Sequence, residues 1–142
     1  MVRLLLESGA HASTQIIPCV KAGDVDMTRL LLKFGANANT VDEDGVAPLG
    51  LVTGPVLVEP LVAAGARVDM LMGRRKHKPP LWLAFNNDHI EVAQELLRLG
   101  ASPNALCGYE PLLNLLVGLR DGLWIHMLVK VRAALFVYLM HL

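Results

Sequence analysis

The stretch "ELLRLGASPN", residues 95–104, decides the fold because its pattern occurs four times in the chain. The other copies are "LLLESGAHAS" (4–13), "LLLKFGANAN" (30–39) and "PLVAAGARVD" (60–69). Each copy has apolar residues before a Gly-Ala pair and a small polar residue four positions after the glycine. The glycines lie at positions 9, 35, 65 and 100, so the intervals are 26, 30 and 35 residues. Repetition at this period is typical of arrays in which each unit packs against the next.

The residues upstream of this stretch carry a second, longer pattern. Residues 79–104, "PPLWLAFNNDHIEVAQELLRLGASPN", resemble the ankyrin-repeat motif T-P-L-H-x-A-A-x-x-G-H-x-x-V-V-x-x-L-L-x-x-G-A-x-x-N. Pro79, Trp82 and Asp88 stand where the motif has Thr, His and Gly. Residues 14–39 give another full-length match, and residues 44–52 and 109–118 begin two more. The matching residues of the first stretch are Pro80, Leu81, Ala84, His89, Val92, Leu96, Leu97, Gly100, Ala101 and Asn104.

This resemblance implies an all-α fold, an ankyrin-repeat solenoid of stacked helix-turn-helix units with loop or β-turn fingers. We divide residues 1–118 into a partial repeat (1–13), a repeat (14–46), a shortened repeat (47–78), a repeat (79–108) and the start of a partial repeat (109–118). Residues 119–142 are predicted to form an apolar C-terminal helix, a divergent cap. The first unit starts inside a repeat, so we expect the sequence to be a fragment, a truncated isoform or a partial gene model.

The spacing also predicts where the array is irregular. From the Thr position of the motif to the next Gly-Ala pair there are 21 residues in the regular repeats and 18 in the middle one. The middle repeat also holds Pro55 and Pro60, and proline inside a helix removes a donor and clashes with the preceding turn. We therefore expect a short or bent helix pair there. About one loop, seven residues, is missing between the first two repeats.

Particular residues are predicted to begin and end the helices. Pro48, Pro80 and Pro111 lie where a first helix begins, a position that suits the fixed φ of proline. Gly35, Gly65 and Gly100 fit helix C-terminal positions that need a positive φ. The polar residues that follow them, Asn39, Asp69 and Asn104, are expected to fold the loop through side-chain to backbone hydrogen bonds.

The composition narrows the functional classes. The chain has 13 basic and 13 acidic residues, so it lacks the positive charge of a general nucleic-acid binder. Its two cysteines form no CxxC pair, which fits a reducing compartment, the cytoplasm or the nucleus. Catalytic, nucleotide-binding and metal-ligand spacings are absent from the sequence. We predict a chain that is not an enzyme, with no cofactor and no metal.

The ankyrin resemblance implies that a partner protein lies in a concave face made by the first helices (the palm) and the loop tips (the fingers). Trp82 is either an interface anchor or an inter-repeat packing residue. The basic run "GRRKHK" (73–78) is either a solvated loop or a nuclear-localisation or phosphate-binding patch. The candidate partner-binding residues are Asp42, Glu43, Asp44, Met72, Arg74, Arg75, Lys76, Trp82, Asn86, Asn87 and Tyr109.

Residues 123–142, "LWIHMLVKVRAALFVYLMHL", leave an alternative function open. The segment is apolar and long enough to span a bilayer. Lys130 and Arg132 near its middle would each cost about 2.5–3.5 kcal/mol on insertion scales. The segment is a final helix packed on the stack, a membrane anchor, or a tail buried by a partner. A second alternative is a substrate-recruiting adaptor fragment of a larger protein.

Overall fold

The computed structural model describes residues 12–74 and 78–103, and the backbone alone for residues 9–11, 106–107 and 110–111. This part of the chain contains α1 (Gly9–Ala22), α2 (Val25–Lys33), α3 (Val58–Ala63), α4 (Pro80–Asn86) and α5 (Ile90–Arg98). Two 3₁₀ turns, Pro48–Gly50 and Pro55–Leu57, precede α3. Two antiparallel strands of two residues each, β1 (Leu106–Cys107) and β2 (Glu110–Pro111), follow α5. The all-α prediction is confirmed.

The helices form two rows with the hydrophobic core between them. The first row contains α1, the 3₁₀ turn Pro48–Gly50 and α4, and the second contains α2, α3 and α5. Neighbours touch within each row, and α1 pairs with α2 as α4 pairs with α5. Because each helix pair covers the apolar surface of the next, no unit buries its own core alone. The large buried side chains are Ile16, Val20, Leu31, Leu49, Leu61, Leu81 and Leu96.

The middle unit is short, as the spacing predicts. Its first helix is reduced to the turn Pro48–Gly50, and its second helix, α3, has six residues. Pro60 lies in the first turn of α3, where the missing N–H removes no intrahelical hydrogen bond. Its three missing residues therefore shorten the helices while the unit keeps its place in both rows.

Two predicted boundaries differ from the observed elements. Helix α1 runs without a break across the boundary predicted between residues 13 and 14, and it contains Pro18. About seven loop residues are absent at this boundary, and the chain continues through it as one helix. Pro111 was expected to begin a first helix, but it lies in β2, paired with Leu106. An extended backbone suits a proline as well as the first turn of a helix does.

All five α-helices in the described part end in the same way. A residue with positive φ follows each helix, and backbone N–H groups then bond to carbonyls of the last turn, as Ala36 N does to Leu31 O at 3.0 Å. The predicted positive φ of Gly35, Gly65 and Gly100 is confirmed, at 85°, 96° and 98°. In α4 the residue is Asp88, with φ 58°, where the motif has glycine. Asp tolerates this conformation better than most residues with a Cβ atom.

The polar residue four positions after each glycine links consecutive units. Ser13 Oγ accepts from Asn37 N, Asn39 Oδ1 from Arg67 N, and Asp69 Oδ1 from Ser102 N, each at 2.9 Å. In each case the bonded N–H belongs to the residue two positions after the next unit's glycine. Asn39 and Asp69 were expected to fold their own loops, and that prediction is wrong. The side chains are short and the next loop lies directly beside them, so they reach it instead. Asn104 lies outside the described residues.

We predict that Asn39→Ala lowers the free energy of unfolding by about 1–2 kcal/mol. The substitution removes the bond from Arg67 N and also the bond that Asn39 Nδ2 donates to Gly65 O at 2.9 Å. Urea unfolding followed by circular dichroism measures the change. The control is Asn86→Ala, at an exposed position of α4, which should change stability by less than about 0.5 kcal/mol. Equal effects of the two substitutions would contradict a stabilising link between units.

Candidate functional site

Finger 1, residues 40–46, is organised around Asp42. Its Oδ1 accepts hydrogen bonds from the backbone N–H groups of Asp44 at 3.0 Å and Val46 at 2.9 Å. Its Oδ2 lies 3.1 Å from Lys21 Nζ, at the end of α1. Only 11% of the Asp42 side chain is exposed. Asp42 was predicted to contact a partner, but its oxygens are engaged in shaping the loop and joining it to α1.

The same contacts shift the titration of Asp42. Burial raises the pKa of its carboxyl, while the Val46 and Asp44 N–H groups and the Lys21 ammonium lower it, and the net pKa lies below the ordinary value. A folded-state pKa below the unfolded one means that ionised Asp42 stabilises the fold at neutral pH. This contribution is lost as the pH falls from the ordinary aspartate range through the lowered folded pKa.

We predict that Asp42→Asn flattens the fall in stability between about pH 5 and pH 3. The asparagine keeps an oxygen for the two N–H groups but has no charge for Lys21 to pair with. The measurement is the urea midpoint of the full chain and the variant across this pH range. Lys21→Gln, which removes the cation alone, should flatten the profile in the same direction. Parallel profiles for all three proteins would count against the assignment.

The remaining charged candidates divide between exposed side chains and positions outside the described residues. Glu43 and Asp44 are exposed on finger 1, and Arg74 is exposed on finger 2, which comprises residues 70–78. None of the three forms an ion pair within the described part of the chain. Arg75, Lys76 and Tyr109 lie outside the described residues.

Met72 belongs to the core, and its prediction as a partner-binding residue is corrected. Its side chain is 2% exposed, and its backbone closes finger 2 by exchanging hydrogen bonds with Lys78 at 2.9 and 3.0 Å. In an extended finger successive side chains point to opposite sides, so Met72 faces inward where Leu71 faces outward. Counting positions from Gly65 alone does not reveal which of the two is buried.

Trp82 packs between the core and a lysine. It is partly buried against the hydrophobic cluster, and Lys78 Nζ lies 3.0 Å from its ring centroid. A cation over an indole face is favourable, more so where water is partly excluded. Of the two interpretations left open, this placement favours inter-repeat packing, because the ring is packed against the core and Lys78 lies over it.

The palm is formed by the ends of the first-row helices. Lys21 and Ala22 are exposed at the end of α1, and Asn86 and Asn87 are exposed at the end of α4. The ion pair between Lys21 and Asp42 brings the palm and finger 1 into one continuous surface. The two asparagines offer polar contacts without a charge to desolvate.

Two exposed aliphatic side chains lie at finger positions of the predicted binding surface but are not among the candidate partner-binding residues. Val41 is 47% exposed and Leu71 is 49% exposed. Each lies six positions after the glycine of its unit, Gly35 or Gly65. That shared register was the available signal, since equivalent positions in a repeat face the same way.

The described residues place limits on other chemistry. In residues 12–74 and 78–103 no three His, Cys, Asp or Glu side chains are grouped so that they could hold a metal ion. Among the helices of the same residues, none has the length and apolar character needed to cross a membrane. The apolar segment 123–142 lies outside the described residues, so its three interpretations stay predictions.

Comparison with known proteins agrees with this geometry. Residues 77–108 match the family model of the ankyrin repeat. The chain is 41% identical over 64 residues to the human "Ankyrin repeat and SOCS box protein 16", covering 43% of this chain and 14% of that protein. It is 29% identical over 116 residues to the Caenorhabditis elegans "Ankyrin repeat and KH domain-containing protein mask-1", covering 73% of this chain and 4% of that protein. The chain therefore spans a small part of both relatives.

Proposed function

We propose that this chain, which belongs to the ankyrin-repeat family, binds a partner protein across its palm and fingers and performs no catalysis itself. Ankyrin repeats generally mediate protein–protein interaction and are non-catalytic modules. The observation that carries the proposal is the continuity of palm and finger. The Lys21–Asp42 ion pair joins the end of α1 to finger 1, on which Glu43 and Asp44 are exposed, and Asn86 is exposed at the end of α4 in the same row.

The surface has the qualities that a protein interface needs. It combines exposed aliphatic side chains with charges of both signs that form no ion pair within the described residues, and such charges give specificity and speed association. Backbone hydrogen bonds join Gly73 N to Gly45 O and Met72 to Lys78, so binding does not have to order these parts of the fingers first. We expect the protein to act in the cytoplasm or nucleus.

Photo-crosslinking from the palm tests this proposal. A photoreactive amino acid is placed at Asn86 in the full chain, or at Gln94, which is exposed on α5 in the second row. After irradiation in cells, we expect covalent protein adducts from position 86 and few from position 94. Both positions are polar and helical, so they differ mainly in the face they occupy. Equal adducts from both, or none from position 86, would contradict binding through the palm.

The similarity to an ankyrin repeat and SOCS box protein favours one second candidate, an adaptor role within a larger protein. The matched residues amount to 14% of that relative, so the likeness concerns the repeats alone. In such an adaptor the chain would supply the binding surface, and another segment would supply the second attachment. A second protein that co-purifies with the adduct formed from position 86 would support this candidate.

A further inference from the structure

The strongest feature beyond the proposed function is a pair of aliphatic side chains on neighbouring fingers. Val41 and Leu71 occupy the same position of their units, and each exposes about half of its surface. The next residue on each finger, Asp42 or Met72, is turned inward. A single exposed aliphatic residue is ordinary, but two at one register on adjacent units form a repeated surface.

The two fingers are fixed to each other, which makes this surface preformed. Gly73 N donates a hydrogen bond to Gly45 O at 2.9 Å, and both glycines have a positive φ, 95° and 77°. A Cβ atom at position 45 would lie 3.4 Å from the Gly73 carbonyl carbon. The fingers therefore meet backbone to backbone, and binding carries no entropic cost for bringing the two fingers together.

Charges of opposite sign flank the aliphatic pair. Glu43 and Asp44 are exposed on finger 1, and Arg74 is exposed on finger 2 beside the Gly45–Gly73 contact. None of these charges is paired within the described residues, whereas Asp42 is held by Lys21. Passing from finger 1 to finger 2, a partner meets negative charge first and positive charge second.

We propose that this surface, here named the finger pair (Val41, Glu43, Asp44, Leu71 and Arg74), binds a protein segment of complementary pattern. Aliphatic side chains of the segment cover Val41 and Leu71, a basic residue faces Glu43 and Asp44, and an acidic residue faces Arg74. The inference rests on the proposed function and adds the chemistry of the partner. Charge complementarity selects the segment and its direction, and aliphatic contact supplies the affinity.

Selection from a displayed library of random 12-residue peptides tests the proposal on the full chain. We expect the selected peptides to share aliphatic residues with a Lys or Arg on one side and an Asp or Glu on the other. The double variant Val41→Ser with Leu71→Ser should bind these peptides about tenfold more weakly. Val56→Ser is the matched control, because Val56 is 55% exposed and lies outside the fingers. Its binding should be unchanged.

Charge reversal gives the sharper outcome. The variant Glu43→Lys, Asp44→Lys, Arg74→Glu should lose the original peptides and select peptides whose acidic and basic residues are exchanged. Circular dichroism of each variant confirms that it is folded. The same consensus on both proteins, or no enrichment on the unchanged chain, overturns the finger pair. If adducts from position 86 persist in that case, the proposed function stands without it, whereas loss of those adducts as well removes both.

Discussion

Leu61→Ala is expected to lower the free energy of unfolding by about 2–5 kcal/mol. Leu61 is fully buried in α3, the six-residue helix of the middle unit. Helix α3 touches α2 on one side and α5 on the other, so a loss of packing in α3 affects the helix that joins both neighbouring units. Because the stability of an array is roughly the sum of its units and interfaces, a weak middle unit also weakens the coupling between its neighbours. We expect urea unfolding of the variant to broaden or to separate into two steps.

The control for this prediction is Leu71→Ala. It removes the same atoms from a side chain that is 49% exposed, and it should cost less than about 1 kcal/mol. Unfolding in urea, followed by circular dichroism and by the two tryptophans, compares the pair. A Leu61→Ala variant that unfolds in one steep transition near the midpoint of Leu71→Ala would contradict the central place of α3.

Gly50→Ala is expected to destabilise the chain by about 1–3 kcal/mol. A Cβ atom at position 50 would lie 2.6 Å from Met72 Sδ, 2.8 Å from Leu83 Cδ1 and 2.9 Å from Val46 Cγ1. Met72 is itself buried, so its sulfur has little room to move away. The added methyl group would push apart finger 1, finger 2 and the next unit at one point. Differential scanning calorimetry measures the loss as a lowered Tm.

Gly54→Ala is the matched control for Gly50→Ala. Gly54 lies four residues away with φ −137° and ψ 152°, an extended conformation open to any residue. A Cβ atom there meets nothing within 4 Å. The substitution should be neutral or stabilise by about 0.4–1 kcal/mol, because alanine restricts the unfolded chain. Opposite signs for the two glycines are the expected result, and equal losses would show that steric contact at position 50 is not the cause.

The stacking of units could be predicted from sequence, because it depends on features with a fixed spacing. A Gly-Ala pair after two leucines encodes both a buried helix face and a positive-φ ending, and the structure shows both at Leu96 and Gly100. The shortness of the middle unit followed from a count of residues. These properties are local, so they can be identified from the spacing of residues along one sequence.

The arrangement of the fingers could not be predicted in the same way. Whether Leu71 or Met72 faces inward depends on the exact register of an extended loop, and one residue of shift exchanges them. The roles of Asn39 and Asp42 depend on which N–H group or ammonium another unit places nearby. Sequence suggests that such polar residues form hydrogen bonds, but only three-dimensional contact identifies their partners.

The links made by Ser13, Asn39 and Asp69 give the array a direction. In each link a side-chain oxygen of the earlier unit accepts a hydrogen bond from a main-chain N–H of the later unit, at Asn37, Arg67 or Ser102. The later unit contributes main-chain atoms alone, including the Gly65 carbonyl that accepts from Asn39 Nδ2. The accepting residues, Ser13, Asn39 and Asp69, all have short side chains that carry an oxygen. The residues that donate the N–H have an amide, a guanidinium or a hydroxyl side chain, because only their main chain takes part. We therefore expect the N–H-donating positions to tolerate more side-chain types than the accepting positions, which need a short side chain with an oxygen.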